Sequence, residues 1–166
     1  MKIGFLGLGV MGLPMAKNVV KKCGCPVLGY DVAEARLAEF KDFGGEVTSD
    51  PDEIYRTCDV VMQILPTHPI IIHSVERAIE LGKPGNIIID LSSTAPDIVL
   101  DLHKKALGIL TVSDIIGDDS RSRFFRTRVN GKNQSISSYC RRCPIIHRLL
   151  RGYRSARGRP CTYRFR

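Results

Sequence analysis

With 166 residues the chain is long enough to bury one domain-sized core. Its formal net charge of +8 hides a division, for residues 1–116 hold 11 Lys or Arg against 15 Asp or Glu while residues 117–166 hold 14 against 2. No apolar run reaches about 18 residues, which excludes a membrane-spanning helix; Met1-Lys2 leads straight into the first strand, so the expectation is a cytoplasmic protein without a targeting peptide, its six cysteines reduced.

The elements follow in order. Residues 2–6 read as a buried strand. Met11, Met15 and Val19, spaced four apart, predict one face of a helix over Met11–Lys22, with Pro14 tolerated in its first turn. Val27–Tyr30 is a second strand ending at Asp31, and Ala33–Phe43 a helix closed by Gly44-Gly45. Glu46-Val47 reads as a brief third strand. "SDPDE" (49–53) starts a helix that runs to Thr57, with Asp50 as N-cap, Pro51 at the first helical position and Glu53 as reciprocal cap. "DVVMQIL" (59–65) is a fourth strand, 70–82 a helix and "NIIID" (86–90) a fifth strand. "STAPD" (93–97) opens a helix through Ala106, with Thr94 and Asp97 as a capping pair, and "GILTV" (108–112) is a sixth strand.

Strands that are apolar on both faces and alternate with helices predict an α/β fold, a doubly wound parallel sheet covered on two sides. Beyond Ser113 no period of 3.6 or 2 persists, and a weakly amphipathic helix around Ile145–Leu150 is the one element suggested there. The expected organisation is therefore an α/β domain at 1–116 followed by an irregular, disordered basic tail at 117–166.

The chemistry concentrates at "LGLGVMG" (6–12). Gly7, Gly9 and Gly12 follow a strand, a helix begins within the spacing, and Asp31 ends the next strand 19 residues later. Each part of this Rossmann pattern has a physical task. Gly7 permits the sharp turn, Gly9 lets a pyrophosphate approach the backbone, and Gly12 lets the helix pack close to the strand. The phosphates would face the N–H groups of Leu8, Val10, Met11 and their neighbours at the positive end of that helix. Asp31 can accept hydrogen bonds from the ribose hydroxyls and would repel a 2′-phosphate, so the cofactor expected is NAD(P), with NAD favoured.

"GFLGLGVMGLPMAKN" resembles the signature of the β-hydroxyacid dehydrogenases, the superfamily of 3-hydroxyisobutyrate and 6-phosphogluconate dehydrogenases. "VVMQILPT" (60–67) and "IIIDLSSTAP" (87–96) are similar to two further blocks of that family in order and spacing, and the resemblance covers residues 2–112. It implies that Leu65 and Pro66 border the nicotinamide ribose, that Ser93 stands where the family has Thr and touches the cofactor, and that Ser92 and Ser93 bind substrate. It also implies hydride transfer between the nicotinamide and a small hydroxy acid. The family often has Asn at the position of Ile70, which removes one polar contact here.

The family's catalytic lysine lies on a long helix after the nucleotide domain, preceded by an Asp-x-Pro-x-x-Gly-Gly turn. Here Asp114 corresponds, but "DIIGDDS" lacks the proline and the paired glycines. Lys132, the one lysine after residue 116, sits in the turn-like "VNGKNQ", so no catalytic residue is assigned. Residues 120–166 contain no Asp or Glu, where roughly five or six would be expected, and the basic residues shift from Lys to Arg. The expectation is a truncated dehydrogenase start joined to an out-of-frame or mis-spliced tail.

The alternative is a nucleotide-binding module whose arginines, with Phe124, Phe125, Tyr139 and Tyr153 interleaved, form an arm for nucleic acid. Cys140, Cys143, His147 and Cys161 do not match a zinc-finger spacing, and no metal is expected. His68, His73 and His103 are scattered over loops and helices with no Ser–Asp or Cys constellation nearby, so the pattern gives nucleophilic catalysis no support.

Overall fold

The computed structural model describes residues 1–106, 110–114, 127–129 and 132–134. The chain divides into two compact units, Met1–Ser122 and Arg123–Arg166. In the first, β1 (Ile3–Leu6), β2 (Val27–Tyr30), β3 (Glu46–Val47), β4 (Val60–Gln63), β5 (Asn86–Asp90) and β6 (Leu110–Asp114) form one sheet in the order β3-β2-β1-β4-β5-β6. Every pairing is parallel, with Ile3 beside both Val27 and Val60, and Gln63 beside Leu6 and Asp90. The helices α1 (Gly12–Cys23), α2 (Glu34–Asp42), α3 (Pro51–Thr57), α4 (His68–Leu81) and α5 (Pro96–Ala106) are the crossovers. This is the doubly wound order, with the strand sequence reversing between β1 and β4.

Alternation along β1 sorts the helices. A side chain at Gly4 would collide with Ile54 and Cys58, so Gly4 and Leu6 face α3 and Ile3 and Phe5 face the opposite side. Leu6, Val61 and Ile88 pack with Ile54, Ile71, Val75 and Leu102 into one cluster beneath α3, α4 and α5. Fully burying one such side chain is worth about 1.5–3 kcal/mol, so this cluster anchors the half of the sheet built from β4 and β5. Among the described residues, no helix is long and apolar enough to cross a membrane.

Three local expectations need correction. The buried face of α1 is Gly12, Leu13, Ala16 and Val19, whereas Met11 is exposed just ahead of the helix and Met15 is half-buried. Gly12 has to face the strand end closely, which sets the helical phase and turns both methionines away. At α3 the Asp50 carboxylate does cap, accepting the Asp52 N–H at 3.0 Å. Glu53 does not close a reciprocal box: its carboxylate accepts the Thr48 hydroxyl at 2.6 Å, and Thr48 Oγ1 takes the Asp50 N–H at 3.1 Å. At α5 the Thr94 hydroxyl donates back to Asp90 Oδ2 at 2.9 Å.

In the second unit β7 (Thr127–Val129) and β8 (Lys132–Gln134) pair antiparallel, with Arg128 opposite Asn133. The tail expected to be irregular thus contains one antiparallel strand pair among the described residues. Strands of three residues are too short to show a period. The suggested helix at Ile145–Leu150 and the Cys140, Cys143, His147 and Cys161 group lie outside the described residues.

Candidate functional site

Two loops leave the carboxyl ends of neighbouring strands where the sheet reverses direction, the position at which doubly wound sheets take ligands. The first follows β1. Gly7 has φ +89°, a conformation L side chains rarely adopt, and a Cβ there would run into the Ile64 carbonyl. A Cβ at Gly12 would run into the Gly7 carbonyl oxygen. Around Gly9 nothing lies within 4 Å of where a Cβ would stand. The protein's own packing therefore demands glycine at 7 and 12 but not at 9, which is exposed.

The turn is pinned from β2. Asp31 Oδ2 accepts the Leu8 N–H at 2.6 Å and Oδ1 accepts the Ala33 N–H at 2.8 Å, while Gly7 N–H donates to the Tyr30 carbonyl at 3.0 Å. Leu8 sends its side chain into the core, whereas Val10 is 81% exposed and Met11 is also exposed. α1 begins with no side-chain cap and no acidic residue in its first turn. No acidic side chain of its own first turn offsets its positive end, and a diphosphate fits a turn with these features.

On the β4 side of the reversal, the segment after β4 is tied to the loop after β5. The Leu65 N–H donates to Ser92 Oγ at 2.9 Å, and the Leu91 N–H to the Gln63 carbonyl at 2.8 Å. Asp90, 4% exposed, accepts the Ser92 N–H on Oδ1 at 3.1 Å and the Thr94 hydroxyl on Oδ2. Ser92 and Ser93 therefore differ sharply. Ser92 is 3% exposed with its oxygen already holding Leu65, whereas Ser93 is exposed. Leu65 is half-buried, Pro66 exposed, and Ile70 exposed in the first turn of α4.

Behind this loop lies a polar chain that sequence reading missed. Gln63 is fully buried; its Oε1 accepts the Ser74 hydroxyl at 2.6 Å, and Ser74 Oγ lies 2.6 Å from Tyr55 Oη. Burial pushes the Tyr55 hydroxyl above its ordinary pKa. Among the described residues Gln63 Nε2 has no hydrogen-bond partner. A glutamine inside the apolar run "VVMQIL" was the available signal. Among the described residues no group of three or more His, Cys, Asp or Glu could hold a metal.

Residues 2–109 match the family described as the NAD binding domain of 6-phosphogluconate dehydrogenase. Human mitochondrial 3-hydroxyisobutyrate dehydrogenase is 37% identical over 106 residues, which are 62% of this chain and 31% of that protein. The 2-(hydroxymethyl)glutarate dehydrogenase of Eubacterium barkeri is 32% identical over 108 residues, 63% of this chain and 36% of that one. The solved structure of Mycobacterium tuberculosis 3-hydroxyisobutyrate dehydrogenase with L-serine superposes with a TM-score of 0.62 at 27% identity, covering 68% of this chain and 39% of that chain. The chain thus spans about a third of the length of the curated relatives it matches.

Proposed function

On the premise that the chain belongs to the family of the NAD-binding domain of 6-phosphogluconate dehydrogenase, we propose that it holds NAD in preference to NADP, for hydride exchange with a small 3-hydroxy acid in a full-length relative. The observation that carries this is the glycine turn at the uncapped start of α1 with the Asp31 carboxylate bonded beside it. The nicotinamide ring, when bound, supplies the hydride acceptor or donor.

The residues divide the work. The N–H groups of residues 9–12, where α1 starts, would hold the diphosphate, whereas the Leu8 N–H expected to face it is taken by Asp31 and the Gly7 N–H by Tyr30. Asp31 fixes Leu8 and keeps lone pairs for the ribose hydroxyls, and its charge opposes a 2′-phosphate. Leu65 and Pro66 would border the nicotinamide ribose, and the exposed Ser93 hydroxyl would meet the reacting end. Ser92 is better suited to hold Leu65 than to touch substrate.

We assign no proton donor to the substrate, because none of the family's lysine setting is matched after Asp114. The family match ends at residue 109, and the acid-free stretch 120–166 follows. Both support a tail outside the dehydrogenase pattern, a frameshifted or mis-spliced continuation. Sequencing the transcript across codons 108–122 tests this; an intact in-frame message in independent samples counts against it.

Titration of the purified chain with NADH and with NADPH, followed by fluorescence, tests the cofactor reading. The expected result is saturable NADH binding and weaker NADPH binding. A folded sample that binds neither at millimolar concentration would refute it. Turnover of 3-hydroxyisobutyrate by this chain without an added subunit would refute the absence of a proton donor.

A further inference from the structure

Ser93 is exposed between two residues that are both tied down, and one buried carboxylate is common to the ties. Asp90 Oδ1 takes the N–H of Ser92, and Oδ2 takes the hydroxyl of Thr94. Ser92 in turn reaches across to the Leu65 N–H, the last backbone donor before Pro66, which has none. Asp90 itself cannot touch a ligand directly, because it is buried and both its oxygens are engaged by the loop it begins. It ends β5, in register with Gln63 at the end of β4, so it stands on the rigid sheet rather than on the loop.

We propose that Asp90 is a positioning residue. It fixes the path of residues 91–95 so that the Ser93 hydroxyl and the Leu65-Pro66 backbone face the same ligand, the nicotinamide half of a dinucleotide. The inference rests on the cofactor reading above and deepens it. The two halves of a doubly wound sheet serve the two nucleotides of a dinucleotide. A device on β4 and β5 should act on one half only, while the Gly7–Gly12 turn and Asp31 hold the other. Hydrogen bonds to an ionised carboxylate are among the stronger ones in a protein, and a loop set by two of them loses its geometry when they go.

The experiment compares NADH with ADP, which keeps the adenosine and the diphosphate but lacks the nicotinamide and its ribose. The full chain is titrated with each, beside Asp90→Ala, Asp90→Asn and Thr94→Val. Asp90→Ala is expected to weaken NADH binding about tenfold and to leave ADP binding unchanged. Asp90→Asn, which can still accept the Ser92 N–H, should recover most of the loss. Thr94→Val removes one hydroxyl from a half-buried site and tests the same tie if Asp90→Ala does not fold; it should weaken NADH binding about threefold and spare ADP. Equal loss of both ligands in the folded variants, or no loss of either, would overturn the proposal. If the unaltered chain binds neither ligand, the cofactor reading itself has failed, an outcome distinct from the other two.

Discussion

The two loops at the carboxyl edge of the sheet are built by opposite means. The turn after β1 takes its shape from missing side chains: Gly7 occupies a conformation other residues avoid, and Gly12 abuts the Gly7 carbonyl. The loop after β5 takes its shape from short polar side chains, with Asp90, Ser92 and Thr94 converting a strand end into a bracket around Ser93. A turn made by absence tolerates almost no substitution. A turn made by hydrogen bonds weakens by steps, each about the worth of one bond.

That contrast can be broken by measurement. The largest effect expected is from Gly12→Ala, whose methyl would meet the Gly7 carbonyl and, beside it, the Ile64 side chain; it should cost about 3 kcal/mol of stability by urea unfolding. Stability within about 0.5 kcal/mol of the parent would show that the turn is not closed as described. Gly9→Val should separate fold from ligand. Its unfolding midpoint should stay near the parent's while NADH affinity falls by about a hundredfold, or about 3 kcal/mol, because the added side chain would stand where the diphosphate approaches the backbone. Unchanged affinity in that variant would count against the diphosphate's place in this turn.

Smaller effects sharpen the second loop. Tyr55→Phe takes one hydroxyl from the chain behind Gln63 and should cost about 1 kcal/mol without altering NADH affinity. A change in affinity would mean that this buried chain, and not Asp90 alone, governs the loop. The smallest effect is a control remote from both loops. Asp52 on α3 bonds Arg77 on α4, and the guanidinium holds its carboxyl below the usual value of 3.8. A carboxyl lowered in the folded state stabilises above its unfolded pKa and loses that effect as the pH falls through the lowered value. Asp52→Asn should therefore lower the Tm slightly at neutral pH, with the gap to the parent closing below pH 3.8. A gap that stays constant on acidification would contradict the ion pair.

Much of this architecture was legible in residue order. Val27–Tyr30, Glu46-Val47 and Asn86–Asp90 are strands at the bounds read from the sequence, because apolar runs between turn residues are what a sheet buried on both faces requires. The sharp turn at Gly7 and the close approach at Gly12 were equally visible, since both follow from glycine spacing after a strand. What escaped depends on contacts across the chain. Met11 and Met15 gave a tidy helical period, but the close approach of Gly12 decides which way α1 faces. Ser92 and Ser93 are chemically alike and adjacent, and only the distance from one of them to Leu65, 27 residues earlier, tells them apart. The pairing of β7 and β8 escaped because three residues cannot display a period.

The double engagement of Asp31 bears on any attempt to redesign the pocket for a phosphorylated ribose. The usual route is to exchange the acidic residue for a small or basic one and so relieve repulsion. Here the same carboxylate also restrains the amide of Leu8, so such an exchange would slacken the grip on the diphosphate while widening the choice of ribose. A replacement that keeps an oxygen acceptor at that distance, such as Asp31→Asn, would separate selectivity from grip.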